Sequence, residues 1–449
     1  MNKNKRTTEI FVSGFALFAI FFGAGNLIFP PILGNMTGDS WWKAMLGFLA
    51  TDPVLPILGV IAMARIGGGP EDMGKRVHPK FAIILSAICI LIIGPVIAVP
   101  RTAATTYELA IQPYLGTNTV ALVITSIVFF GIAFFFTVNE GRVIDIIGKF
   151  LTPGLLLVLA AIIVKAILSP IGPIVNTGYE NSFHLGFTEG YQTLDALAAA
   201  IIGGIVISGL KHKGYDDKDE QRYILIRSGI VAGILLAFVY GGLTFVGATT
   251  SATPETNRIA LLLYSVRQIF GNAGGVLLGI SVALACMTTA VGLISACGNF
   301  FNQVSGGKLP YRTVVIATTL FSFAMSMMSV EGIINLAFPI LLTVYPAVIV
   351  LIALTLFDKQ IHSNLSYIGP VFTALVFGFV EAVNSSFGWF EGLHAIIMKV
   401  PLAEAGFPWV VPAAIAFLVF TTIASMLGHT DDIGEKNLLI KRQRMTSVI

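Results

Sequence analysis

Phe21-Phe22-Gly23-Ala24-Gly25-Asn26-Leu27-Ile28-Phe29-Pro30-Pro31 interrupts the first long apolar run of this chain. A run of that length has the composition of a membrane-spanning helix, which needs about 20 mostly apolar residues. Two glycines, an asparagine and two prolines argue against a regular one. Broken backbone in hydrocarbon leaves N–H and C=O groups unpaired, at several kcal/mol each, unless something polar meets them. A substrate or an ion can meet them, so the stretch points to a transporter.

The composition agrees. The 449 residues are 55% hydrophobic and only 11% charged, against about 25% charged in a soluble domain. Mean hydropathy is strongly positive. No polar stretch is long enough for a separate soluble domain, so residues 1–449 read as one all-α membrane unit. The net charge is +3, and no nucleic-acid partner is expected. Cys89, Cys286 and Cys297 lie in apolar runs without metal-binding spacing; they read as small core residues. The basic N-terminus, Lys3, Lys5 and Arg6, leads into an apolar run too long for a signal peptide.

Twelve spans are expected, at 8–33, 42–64, 81–110, 118–138, 146–168, 190–210, 223–249, 271–297, 312–329, 332–357, 366–385 and 407–428. With the N-terminus in the cytoplasm, inner segments and adjoining span ends hold 21 of the 27 basic residues. That is the positive-inside asymmetry, and it puts both termini inside. Pro95 and Pro100 predict a kink in the third span. Ile259, Leu262, Leu263, Val266, Ile269 and Phe270 recur at helical spacing over 256–270. They predict an amphipathic outer helix that either caps a vestibule or simply lies on the surface. Residues 386–406, with Trp389, Phe390 and Pro401, read as a partly re-entrant connection.

Several polar residues fall at membrane depth. Gly23 and Gly25 allow a ligand close to the backbone. Amides opening the second half-helix suit a carboxylate; carbonyls ending the first, near Ala19 and Phe22, suit a small cation. Asn26 adds a side-chain amide. Glycines alone would serve tight packing, but Asn26 and the two prolines favour a site. Thr193, Asp195, Gly203 and Gly204 interrupt the sixth span. Asp195 could hold a cation, a proton or a substrate ammonium, or sit near the outer interface. Thr288 and Thr289, with the Ala285 carbonyl a turn back, could supply oxygens to a hard cation or bond back to their own helix. Arg101 and Glu108 share a face of the third span, either as a structural ion pair or as an outer gate. The six histidines are scattered over loops and span ends, which argues against a membrane enzyme. No repeated filter-like segment suggests a channel. The broken spans 1 and 6 lie five spans apart, which predicts two inverted five-span repeats, 8–168 and 190–357, with two further helices over 366–428 and a cytoplasmic tail over 429–449.

Phe21 to Pro31, Gly94 to Tyr107 and Gly190-Tyr191-Gln192-Thr193-Leu194-Asp195 resemble the BrnQ family of bacterial branched-chain amino acid:cation symporters, over nearly the whole chain. The resemblance implies uptake of leucine, isoleucine and valine across the bacterial plasma membrane, driven by sodium or, alternatively, by protons acting through Asp195. No cofactor beyond the coupling ion is implied, and the oligomeric state stays open. Gly23, Gly25, Asn26, Phe29 and Pro30 are also similar to the first helix of LeuT-fold transporters, which implies a 5+5 inverted repeat with alternating access. By that likeness the amides of Ala24 and Gly25 would bind the substrate carboxylate. The carbonyls of Ala19, Phe22 and Ala285, with the hydroxyls of Thr288 and Thr289, would form a sodium site. The arginine that often precedes Phe-Pro in those transporters as an outer gate is missing, and whether Arg101 replaces it is open.

Overall fold

The computed structural model describes residues 3–66, 74–138, 143–253, 255 and 257–427. The tail expected over 429–449 lies outside them. The described residues contain helices and turns and no strand.

The first apolar run folds as two helices. α1 (Lys3–Phe21) stops at the glycine break and α2 (Ala24–Thr37) begins just beyond it. Gly23 is extended, at φ −100° and ψ −175°. The second span is also broken. α3 (Trp41–Leu49) and α4 (Leu55–Ile66) meet at Asp52, whose backbone is non-helical at φ −144° and ψ 113°. Pro53 follows it, and proline drives the preceding residue out of the helical region. The third span bends as expected: α5 (Pro79–Leu91) and α6 (Ala98–Thr106) are separated by a distorted turn at Gly94 and Pro95. It ends in a wide turn over Tyr107–Ile111 and the short α7 (Gln112–Leu115). α8 (Thr119–Val138) and α9 (Val143–Leu168) are the fourth and fifth spans.

The sixth span departs from expectation. The connection before it contains a helix, α10 (Ser182–Tyr191), and α11 (Asp195–His212) follows after three residues. The break therefore lies at Gln192–Leu194. Gly203 and Gly204 belong to α11. Leu194 carries φ 70°, a backbone state that costs a branched side chain of order 1–3 kcal/mol. Asp195 opens α11, and α10 precedes it across the break.

α12 (Lys218–Ala248) is continuous. α13 (Arg258–Val304) turns sharply at Gly271, φ 69°, which divides the expected outer helix from the eighth span. Ile259, Leu262, Leu263, Val266 and Ile269 are buried, while Phe270 is exposed beneath the Lys165 ammonium, 4.8 Å from its ring centroid. α14 (Tyr311–Met325), α15 (Val330–Leu356), α16 (Leu365–Phe387), the short α17 (Glu391–Ile397) in the connection over 386–406, and α18 (Val410–Met426) complete the chain. Among the described residues seven helical stretches are long and apolar enough to cross a membrane, and three shorter helices are apolar. The architecture is multi-pass, and the first of the seven stretches, Gly25–Ile66, runs through α2, α3 and α4.

Glycine sets how closely the central helices approach. A methyl group on Gly34 of α2 would overlap the Thr244 carbonyl of α12, and one on Gly247 would overlap the Pro31 carbonyl. Gly186 of α10 lies equally close to the Ala44 carbonyl of α3. With no hydrophobic force between helices in lipid, such close backbone packing holds them together. It also brings α12 onto α2 and α10 onto α3, and so carries their polar residues to one place.

Candidate functional site

Asn26 is the third residue of α2 and is buried. Its Oδ1 accepts from the Gly23 N–H at 3.3 Å, an amide that also donates to the Phe21 carbonyl at 2.9 Å. Its Nδ2 faces three oxygens: Asp52 Oδ2 at 2.8 Å, Asp195 Oδ2 at 2.8 Å and Tyr240 Oη at 2.7 Å. Three broken or distorted segments and α12 thus converge on one amide. The remaining N-terminal amides of α2, those of Ala24 and Gly25, have no carbonyl a turn before them within the helix.

Arg101 of α6 is buried. Its Nη1 donates to the Gln192 carbonyl at 2.6 Å, within the break of the sixth span. Its other terminal nitrogen packs on Gly25, where an added Cβ would come within 2.6 Å of it. One guanidinium therefore serves both breaks. The expected partnership with Glu108 is absent: no ion pair joins them among the described residues, and Glu108 instead accepts from the Val330 N–H at 2.8 Å. Seven residues put the two about 10 Å apart along the helix, and the wide turn at Tyr107–Ile111 starts just before Glu108.

A cavity of about 260 Å3 opens between these elements. Its polar lining includes Gly23, Gly25, Asn26, Arg101, Thr193 and Asp195, and Ala19, Thr288 and Thr289 line it as well. Its apolar lining includes Ile20, Ile93, Ala98, Leu194, Ala198 and Ile202. A few convergent polar groups in an otherwise apolar pocket is the usual form of a small-molecule site. The opposite charges of Arg101 and Asp195 on one wall suit a zwitterion.

Phe22 and Ala285 do not line the cavity. Phe22 stacks on Phe18 and Tyr240. The Thr288 and Thr289 hydroxyls both donate to the Ala285 carbonyl, at 2.8 and 3.1 Å, which is back-bonding within the helix. Each hydroxyl oxygen keeps lone pairs free for a cation. The Thr193 hydroxyl donates to the Gly190 carbonyl at 2.8 Å and helps close the turn before α11.

A second charged cluster stands at the start of α13. Arg258 donates to Glu189 of α10 at 2.8 Å and to Glu331 of α15 at 2.5 Å. Its guanidinium carbon lies 5.4 Å from the centroid of the Phe29 ring, and that of Arg101 lies 5.5 Å from the same centroid. Phe29 is fully buried between them.

Sequence reading missed Asp52, Tyr240 and the Arg258 cluster. Asp52 was findable: an acidic residue before a proline within an apolar run carries the signal already read at Asp195. Tyr240 carries none, because a tyrosine in a span is ordinary. Arg258 carries none either, because its carboxylate partners sit 69 and 73 residues away.

Comparison with known proteins gives a consistent picture. The family model described as "Branched-chain amino acid transport protein" matches residues 6–427. The branched-chain amino acid transport system 2 carrier protein of Pseudomonas aeruginosa is 37% identical, covering 94% of this chain and 97% of the relative. The branched-chain amino acid permease BraB of Bacillus subtilis is 33% identical over 95% and 98%, and BrnQ of Escherichia coli K12 is 33% identical over 92% and 95%. Among solved structures, Mhp1, a nucleobase-cation-symport-1 family transporter in a closed conformation with bromovinylhydantoin bound, superposes with a TM-score of 0.60 at 14% identity, covering 94% of this chain and 93% of that one. Its inward-facing conformation gives 0.56 at 13% identity, covering 94% and 91%. These two establish a shared fold.

Proposed function

The chain belongs to the branched-chain amino acid transport protein family, whose relatives are named carriers and permeases and not enzymes, and on that footing we propose that it takes up leucine, isoleucine and valine with sodium by alternating access. The observation that carries this reading is the cavity shared by Arg101, Asp195 and the amides at the start of α2. The substrate carboxylate meets Arg101 and the Ala24 and Gly25 amides, with Gly23 leaving room for it. The ammonium meets Asp195, with Asn26 and Thr193 beside it. The aliphatic side chain lies among Ile93, Ala198 and Ile202. Sodium takes the carbonyls of Ala19, Phe22 and Ala285 and the hydroxyl oxygens of Thr288 and Thr289, whose hydrogens then leave the Ala285 carbonyl. The two five-span repeats, 8–168 and 190–357, rock about this point, in the bacterial plasma membrane with both termini cytoplasmic.

An apolar pocket separates neighbours differing by one methylene by only ~1–3 kcal/mol. Excess unlabelled isoleucine or valine is therefore expected to suppress uptake of labelled leucine into proteoliposomes; leucine uptake indifferent to both would contradict a shared site. Replacing sodium by choline at fixed pH is expected to abolish concentrative uptake. Unchanged uptake in choline would favour the second reading, in which protons acting at Asp195 drive transport.

The Arg258–Glu189–Glu331 cluster is the outer closure in this reading, with Phe29 beneath it, and takes the role first considered for Arg101 and Glu108. Arg258→Ala deprives Glu189 and Glu331 of their shared guanidinium and is expected to favour the outward-open state. A cysteine placed at Ala198 should then react several-fold faster with a membrane-impermeant thiol reagent added outside. An unchanged labelling rate would show that the cluster does not close the site.

A further inference from the structure

Asp52 and Asp195 crowd one amide, and neither the transport reading nor the relatives assign a role to that pairing. Each presents Oδ2 at 2.8 Å from Asn26 Nδ2, and Tyr240 Oη stands 2.7 Å from the same nitrogen. An amide nitrogen has two hydrogens to give. Three oxygens around it leave at least one of them without a hydrogen from Asn26, facing the other oxygens instead. Tyr240 has one hydrogen, which serves one of the two carboxyls at most. Two carboxylates held this close in a dry site do not both ionise.

Charge counting gives the same answer. Arg101 is the cation facing the pair from α6. Tyr240 faces it from α12, Tyr345 from α15, and Tyr191 of α10 stacks on Tyr345 at 4.2 Å between ring centroids; all are neutral phenols. Arg258 is already matched by Glu189 and Glu331. One guanidinium against two carboxylates leaves one negative charge without a counterpart.

The two members differ. Asp52 is fully buried, and its Oδ1 has no hydrogen-bond partner. An ionised carboxylate with an unpaired oxygen at that depth is costly; a neutral carboxylic acid there costs far less. Asp195 is slightly more exposed and lines the cavity. We propose that Asp52 and Asp195 share one proton in the substrate-free carrier, and that loading the substrate ammonium beside Asp195 expels it. The O–H bond of the shared proton breaks, the proton passes to the cavity and then to solvent, and three carboxylates, those of Asp52, Asp195 and the substrate, are left ionised against Arg101, the incoming ammonium and the sodium that enters with it. The substrate-free carrier then returns across the membrane with a proton aboard.

This inference rests on the proposed binding of a branched-chain amino acid. Its test uses the purified full chain in weakly buffered sodium medium with a pH-indicator dye, with bound radiolabelled leucine counted in the same sample. Wild type is expected to release up to one proton per leucine bound near neutral pH, and its leucine affinity should rise with pH, by up to tenfold per unit. Asp52→Asn should release almost no proton per leucine bound and lose that pH dependence, and Asp52→Glu should restore both. Leucine binding by wild type without proton release overturns the proposal, as does equal release per leucine by Asp52→Asn. The wild-type measurement decides alone where Asp52→Asn fails to fold. Absence of leucine binding by wild type overturns the transport reading itself, and counting bound leucine separates the two failures.

Discussion

Arg101→Ala is expected to lower leucine uptake by roughly thirtyfold or more while the protein still reaches the membrane. The guanidinium donates to the Gln192 carbonyl at 2.6 Å and packs on Gly25 at the start of α2. It is the cation of the cavity wall. Truncating one partner of a buried charged pair costs about 2–5 kcal/mol, and 1.4 kcal/mol is tenfold in affinity. Alanine leaves both the substrate carboxylate and the Gln192 carbonyl unmet. Lysine should rescue little, because a single ammonium lacks the planar fork that reaches two acceptors. Gly25→Ala should mimic the loss in part, since its methyl group occupies the space beside the guanidinium. Uptake by Arg101→Ala within about threefold of wild type, at equal surface abundance, would remove Arg101 from the site.

The second large effect is on assembly. Gly247→Val places a branched side chain where the Pro31 carbonyl of α2 already lies, and the helices have no room to move apart without breaking the packing of Asn26 against Tyr240. Overpacking usually costs about 1–3 kcal/mol when side chains yield. Here the obstacle is backbone, so the cost should exceed that range and take much of a typical stability of about 5–15 kcal/mol. The variant is expected to give little monodisperse protein on size-exclusion chromatography and a melting temperature lowered by many degrees. Gly131→Ala in α8 is the control, because nothing lies within 4 Å of its added methyl group. A Gly247→Val chain as stable as Gly131→Ala would contradict the close α2–α12 contact.

Much of this was legible in the sequence, and the failures share a cause. The break at Gly23 was readable because glycine, asparagine and proline depart locally from an apolar run. The kink near Pro95 followed from the same kind of local signal, and the division of α13 near residue 271 from the amphipathic spacing of 256–270 ahead of an apolar run. The reading of the sixth span took in the true break at Thr193 and Asp195 but extended it to Gly203 and Gly204. Its sharp turn is carried by Leu194 in a left-handed conformation, which nothing in a leucine announces, and Gly203 and Gly204 drew attention to a stretch that is regular helix. Asp52 carried an unused signal. Tyr240, Glu189, Arg258 and Glu331 gain their meaning from partners brought close only by helix packing, and spacing along the chain says nothing of that. The pairing of Arg101 with Glu108 failed for the opposite reason: residues on one helix face are neighbours in projection yet two turns apart in depth.

The site also shows how the broken backbone is stabilised before any substrate arrives. Asn26 takes the Gly23 amide and Arg101 takes the Gln192 carbonyl. The protein therefore meets part of the polar demand created by its own breaks and leaves the first amides of α2 and the Asp195 carboxylate to a ligand. Binding then exchanges few internal hydrogen bonds, which suits a carrier that must both load and unload.

A structure of the chain with bound leucine tests the central claim most directly. The account predicts the carboxylate within hydrogen-bonding distance of Arg101 and the Ala24 and Gly25 amides, the ammonium beside Asp195, and α1 and α2 still separated at Gly23. Leucine bound elsewhere, or a first span wound without interruption through Gly25, would contradict it.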